Sequence, residues 1–174
     1  MKITKELLRE KGACAAGYRD FLKEFPEEKY PDGVEYQDLL DCCAEKNFSY
    51  GSWLLSEFGR TDDVRRVDGD LITKKSIIFA GRLEVSGIIK AGESIEAGEG
   101  IKAGCGIKAG WGIEAGRGIK AGEGIEAGCG IEAGWEFGIY AGLRVRITSE
   151  CRKIIAKTKP ENIMCGEFVE AENE

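Results

Sequence analysis

Seven cysteines and no histidine bound the chemistry open to this 174-residue chain. Without histidine it lacks the commonest general base, the commonest metal ligand and the side chain that switches charge near neutral pH. Cys105 and Cys129 occupy equivalent slots of a repeat. If those slots share one edge of the fold, the two thiols could form a metal or redox pair. With no C-x-x-C spacing, small residues tolerated at a turn are the favoured explanation. Cys42 and Cys43 are adjacent on a helical stripe, so one thiol faces a core, and the pair is expected to serve packing. The glycine runs never supply G-K-[ST] in a strand–loop–helix context, so no phosphate loop is expected. These observations predict no catalytic residue, no metal site and no cofactor.

The remaining candidates are residues able to bind a partner. The sequence Gly-Ile-[Lys/Glu]-Ala-Gly-x recurs every six residues through Gly134. The x slot carries Glu99, Cys105, Trp111, Arg117, Glu123, Cys129 and Trp135 in turn. Tryptophan and arginine are the residues most enriched at binding hot spots. The candidate partner-binding set is therefore Trp111, Arg117 and Trp135, with Glu99 and Glu123. Glu136 and Phe137 join it from an insertion that breaks the six-residue phase after Trp135. The alternative is that each tryptophan folds over its own corner and shields glycine backbone.

The element that positions these residues follows from the repeat. Ile-[Lys/Glu]-Ala alternates apolar, charged, apolar, and predicts a three-residue strand with Ile and Ala inward and the charge outward. Gly-x-Gly predicts a corner, on the expectation that glycine supplies positive φ there. One strand and one corner cannot enclose a core, but stacked coils can, so a β-solenoid is expected. The x slot repeats every 24 residues, and the strand charges invert across that step: Glu96 to Lys120, Lys102 to Glu126, Lys108 to Glu132. A period of 24 suits coils of 12 or 24 residues. Paired glycines favour a flattened two-sided coil of 12 with opposite charges facing across stacked strands; a three-sided coil of 18 is the alternative.

The flanks differ from the repeat. Cys14, Tyr18, Phe21, Leu22 and Phe25 form a helical stripe that Pro26 ends. Tyr36, Leu39, Leu40 and Cys43 form a second, and Trp53, Leu54, Glu57 and Phe58 lie on a helix that Gly59 can cap. The expected class is α+β: a helical domain at 1–60, a linker at 61–70, a solenoid at 71–147 with Leu143, Val145 and Ile147 as a plain strand, and capping strands at 148–174.

The net charge of −6 sits in the flanks, leaving the repeat nearly balanced. A neutral solenoid with acidic flanks argues against nucleic acid as partner. No run is apolar enough for a membrane span, and the first residues lack a signal-peptide core. A cytoplasmic location and reduced thiols are the expectation.

Six-residue solenoids include the hexapeptide-repeat acyltransferases, but their base is a histidine. Their small inward residue also precedes the aliphatic one by two, whereas Ala follows it here. The helical segment KELLREKGACAAGYRDFLKEF, with EYQDLLDCC and SYGSWLLSEFG, followed by VDGDL and the GIKAG repeats, resembles short phage and prophage proteins that join a helical region to glycine-rich solenoid repeats. That resemblance implies a non-enzymatic protein that binds and inhibits a bacterial protein complex, such as a defence nuclease complex, in the manner of an anti-CRISPR inhibitor inside the bacterial host cell. The stretch from Gly69 to Gly87 also resembles bactofilins, which implies the alternative of a self-associating scaffold. A homodimer is compatible with either.

Overall fold

In a computed structural model, residues 1–171 are described; the last three residues of the expected capping segment lie outside them. The chain begins with β1 (Lys2–Ile3), α1 (Lys5–Glu10), α2 (Ala15–Glu24), β2 (Val34–Glu35), α3 (Tyr36–Lys46) and α4 (Gly51–Phe58). Local chemistry sets the helix ends. The Thr4 hydroxyl accepts from the Leu7 N–H at the start of α1, and Gly59 takes φ 74° to close α4. The Tyr30–Gly33 turn needs its glycine, because Gly33 has φ 85° and stands against the Ile3 carbonyl. The antiparallel pair β1–β2 is too short to show as a sequence pattern.

Among the described residues the solenoid runs for six turns. The first is β3 (Val64–Val67), β4 (Leu71–Thr73) and β5 (Ile77–Phe79). The second is β6 (Arg82–Val85), β7 (Ile89–Ala91) and β8 (Ile95–Ala97), and the third β9 (Ile101–Ala103), β10 (Ile107–Ala109) and β11 (Ile113–Ala115). The fourth is β12 (Ile119–Ala121), β13 (Ile125–Ala127) and β14 (Ile131–Ala133). Two shorter turns follow, β15 (Ile139–Tyr140) with β16 (Lys153–Ala156), then β17 (Ile163–Cys165) with β18 (Glu167–Glu170).

Ile107 pairs in parallel with Ile89 on one side and Ile125 on the other, so one coil is 18 residues and has three faces. The 12-residue coil inferred from the 24-residue echo is therefore incorrect. Three inward Ile and three inward Ala per coil fill a prism. The isoleucines from Ile89 to Ile131 are almost fully buried in one continuous core. Each contributes about 1.5–3 kcal/mol relative to an exposed side chain.

The corner glycines do not work through positive φ: none between Gly92 and Gly134 lies in the left-handed region. They work by stacking distance. A Cβ on Gly110 would stand 2.0 Å from the Gly92 carbonyl oxygen one coil away, and one on Gly128 would stand 2.1 Å from that of Gly110. Only a residue without a side chain lets the coils close to strand spacing there.

The stretch expected to be a linker contains β3, the first strand of the solenoid. In β3 the register places Arg65 beside Leu83, in the large inward slot at the end of the core. Its guanidinium lies 4.7 Å from the centre of the Phe79 ring and 3.4 Å from the Asp41 carboxylate on α3. The outward slot of β5 holds Ile78, which is buried because the helical domain packs on it. The Gln37 amide donates to the Ile78 carbonyl (2.8 Å) and accepts from the Ala80 N–H (3.1 Å). At the far end, β16, β17 and β18 continue the parallel ladders. Leu143, Val145 and Ile147 form no strand; they lie in a loop, with Leu143 and Ile147 exposed.

Candidate functional site

With 18 residues per coil, the seven x-slot residues fall on three corners. The corner after the third face (β5, β8, β11, β14) carries Glu99, Arg117 and Trp135. The corner after the second face (β4, β7, β10, β13) carries Glu93, Trp111 and Cys129, linked by Trp111 N–H to Glu93 O and Cys129 N–H to Trp111 O. The corner after the first face (β3, β6, β9, β12) carries Gly87, Cys105 and Glu123, linked in the same way. Trp111 and Trp135 are thus on different edges, and so are Cys105 and Cys129, which removes the basis for pairing those thiols. Glu123 is likewise separated from Arg117 and Trp135.

One corner gathers most of the candidates. Glu99 is only 5% exposed. Its carboxylate meets Arg60 Nε at 2.8 Å, Arg117 Nη1 at 3.2 Å and Arg82 Nη2 at 3.6 Å. The Arg117 N–H also donates to the Glu99 carbonyl at 2.6 Å. A buried carboxylate is costly unless paired and hydrogen-bonded, and three guanidiniums meet that need. Arg60 follows α4 and Arg82 begins β6, so the cluster ties the helical domain to two neighbouring coils. The Arg117 guanidinium lies 5.3 Å from the Phe137 ring centre, a cation–π contact that orients the insertion. Two consequential members, Arg60 and Arg82, were not visible as site residues in the sequence, because nothing in the repeat period places them beside Glu99.

Beyond Arg117 the corner opens. Trp135 is 79% exposed, and Phe137 and Glu136 beside it are exposed as well. Trp135 therefore does not fold over its corner as a shield. Trp111, 62% exposed on another edge, does not either. A groove of about 310 Å3 lies between Trp135, β14 and the Thr158–Asn162 loop. The loop is held by the Asn162 amide, which donates to the Ala133 carbonyl at 2.8 Å and the Gly134 carbonyl at 3.2 Å. Those bonds also cover backbone of β14, the last strand of the third face. The arrangement is an exposed aromatic side chain on a turn beside a concave surface.

Residues 1–61 match the family model described as the YdhT N-terminal domain. The matched segment contains α1 to α4 and ends at Thr61, next to Arg60 of the Glu99 cluster. Comparison with curated proteins and with solved structures returns no match.

The strand charges do not alternate regularly up the faces: the third face carries one sign, and the other two are mixed. Glu96, Glu114 and Glu132 stand in register on the third face, and Lys102 and Lys120 on the first. The expected pairing of opposite charges survives in one close ion pair of the repeat, Lys108–Glu126 at 2.5 Å. Desolvation, then the charges of Glu96 and Glu132, raises the Glu114 carboxyl above its ordinary value. Burial, with Cys42 as a lesser cause, pushes the Cys43 thiol up to about 12, which makes it a packing group rather than a nucleophile. Among the described residues no helix is long and apolar enough to cross a membrane.

Proposed function

We propose that this chain is a non-enzymatic, phage-type protein that binds and inhibits a bacterial protein complex, with the Trp135–Phe137 corner as its main contact. The observation that carries the proposal is Trp135: a large aromatic, 79% exposed, on the turn that follows β14. Tryptophan is among the residues that carry most of the energy at binding hot spots, above all beside a pocket that can be desolvated. Arg117, pinned by Glu99, supplies a charged neighbour, and the adjacent groove can receive a side chain of the partner. The anti-defence role, with a defence nuclease complex as target, rests on the resemblance to phage proteins of helical-plus-solenoid design.

The test is affinity capture from bacterial lysate with the wild-type chain and a Trp135→Ala, Phe137→Ala variant, followed by assay of any captured nuclease. A complex retained by wild type, lost by the variant and slowed in its activity supports inhibition. Identical recovery by both proteins excludes this corner as the contact.

Self-association is the second reading. It is supported by the resemblance of the Gly69–Gly87 stretch to bactofilins and by the acidic ladder on the third face, which attracts cationic surface on a second copy. Light scattering separates the two: a defined monomer or dimer fits an inhibitor, and open-ended, salt-sensitive polymers fit a scaffold.

A further inference from the structure

The first face carries a feature that the partner-binding proposal does not use. A groove of about 580 Å3 runs along the ends of β6, β9 and β12 and their shared corner. Its far wall is the loop after β15. That loop is strapped to the corner by backbone bonds, Leu143 N–H to Ala121 O and Arg144 N–H to Gly122 O. Arg144 then lies flat across the corner glycines and donates to the Gly104 carbonyl at 3.3 Å. A Cβ on Gly122 would stand 2.8 Å from Arg144 Cδ, so the glycine column doubles as a bed for this side chain.

The charges lining the groove are unequal. Arg66, Lys102, Lys120 and Arg144 contribute four positive charges, and Asp68 and Glu84 two negative ones. Both carboxylates are engaged: Glu84 bonds Arg66 at 3.2 Å, and Asp68 accepts from the Ser86 hydroxyl at 3.0 Å. Lys102 and Lys120 are exposed and stand in register on adjacent strands. Glu84, in register with Lys102 on its other side, is paired with Arg66 instead, and neither lysine has an ion pair among the described residues. Adjacent strands are about 4.8 Å apart. Like charges placed directly opposite repel, and here a third cation, Arg144, is fixed at the same groove.

We infer that this groove is a binding site for a small, multiply charged oxyanion, of the phosphate or polycarboxylate class, held by Lys102, Lys120 and Arg144. Three cationic side chains line one concave surface, with Lys120 also resting 5.3 Å from the Tyr140 ring centre, and charged donors of this kind match the several oxygens of such a group. The volume is in the range of small-ligand sites. The wall formed by Leu143 and Arg144 favours a compact ligand over a flat protein face, such as the glutamate ladder of a second copy.

The test uses the full chain at constant ionic strength, titrated calorimetrically with pyrophosphate and, separately, with citrate. Saturable binding of either supports the site, and the stronger of the two identifies the phosphate or carboxylate class. Lys102→Ala and Lys120→Ala should each weaken binding at least tenfold. Lys90→Ala should leave it unchanged: Lys90 also stands in register with a lysine, Lys108, but on a face without the groove. No saturation above matched chloride would overturn the inference, as would equal weakening by Lys90→Ala. A short single-stranded oligonucleotide that binds more tightly than both anions would replace the small ligand by nucleic acid.

Discussion

Glu99 and Arg117 occupy the same corner one coil apart, joined by a 2.6 Å backbone hydrogen bond and a 3.2 Å ion pair. Through Glu99 the corner reaches Arg60 at the end of the helical domain. Through Arg117 it reaches Phe137 in the exposed insertion. The pair therefore links the segment matching the YdhT N-terminal domain to the surface proposed to bind a partner.

Glu99→Ala should destabilise the protein by about 1–3 kcal/mol, since hydrogen bonds to charged groups are worth roughly 1.5–3 kcal/mol and the partly exposed arginines regain some hydration. Urea denaturation at neutral pH measures it. A loss below about 0.5 kcal/mol, the range of an ordinary surface substitution, would mean that the cluster does not hold the two parts together.

Two corner glycines, Gly110 in the first position of its corner and Gly130 in the second position of another, should respond differently to alanine. Gly110→Ala places a Cβ 2.0 Å from a carbonyl oxygen, whereas a Cβ on Gly130 meets nothing within 4 Å. Gly110→Ala should cost at least about 1–3 kcal/mol, the usual penalty of overpacking. Gly130→Ala should be close to neutral. Equal melting temperatures for the two variants would contradict close coil stacking as the reason for glycine.

Trp135→Ala should change stability by no more than about 0.5 kcal/mol, because the side chain is mostly in water. Ile119→Ala, in the fully buried ladder, should cost about 2–5 kcal/mol. Acrylamide quenching of tryptophan fluorescence offers a second check: the Trp135 variant should lose a readily quenched component that wild type retains.

Glu114→Gln should stabilise the protein at pH 7 and not at pH 4. The folded carboxyl is raised above its ordinary value of 4.5, so the folded state holds this proton more tightly than the unfolded chain does. The resulting penalty is absent below the unfolded value. It grows as pH rises to the folded value and is constant above that. Relief of like-charge neighbours on adjacent strands is worth about 0.2–1 kcal/mol. Denaturant melts of both proteins at the two pH values give the difference; an equal gain at pH 4 would point to a cause other than charge.

Much of the fold is legible locally. The strand Ile-[Lys/Glu]-Ala, its inward and outward sides, the helices around Tyr18, Leu40 and Leu54, and the phase break after Trp135 all follow from spacing within a few residues. The site is legible only in part. Arg117, Trp135, Phe137 and Glu99 were visible as types able to bind, and the structure brings them together. Trp111 and Glu123 carry the same signal and lie on other corners, while Arg60 and Arg82 carry none and lie at the centre.

By itself the sequence determined that there are strands, corners and a continuous apolar interior, because side-chain alternation in a strand is a two-residue property. Only the tertiary structure decided that three hexads close one coil. Every hexad is locally equivalent, and closure depends on how many Ile and Ala side chains fill the space between faces. That number converts a 24-residue echo into an 18-residue stack. It sends Glu96, Glu114 and Glu132 to one face and Lys102 and Lys120 to another, and sets Arg117 against Glu99 rather than between two tryptophans.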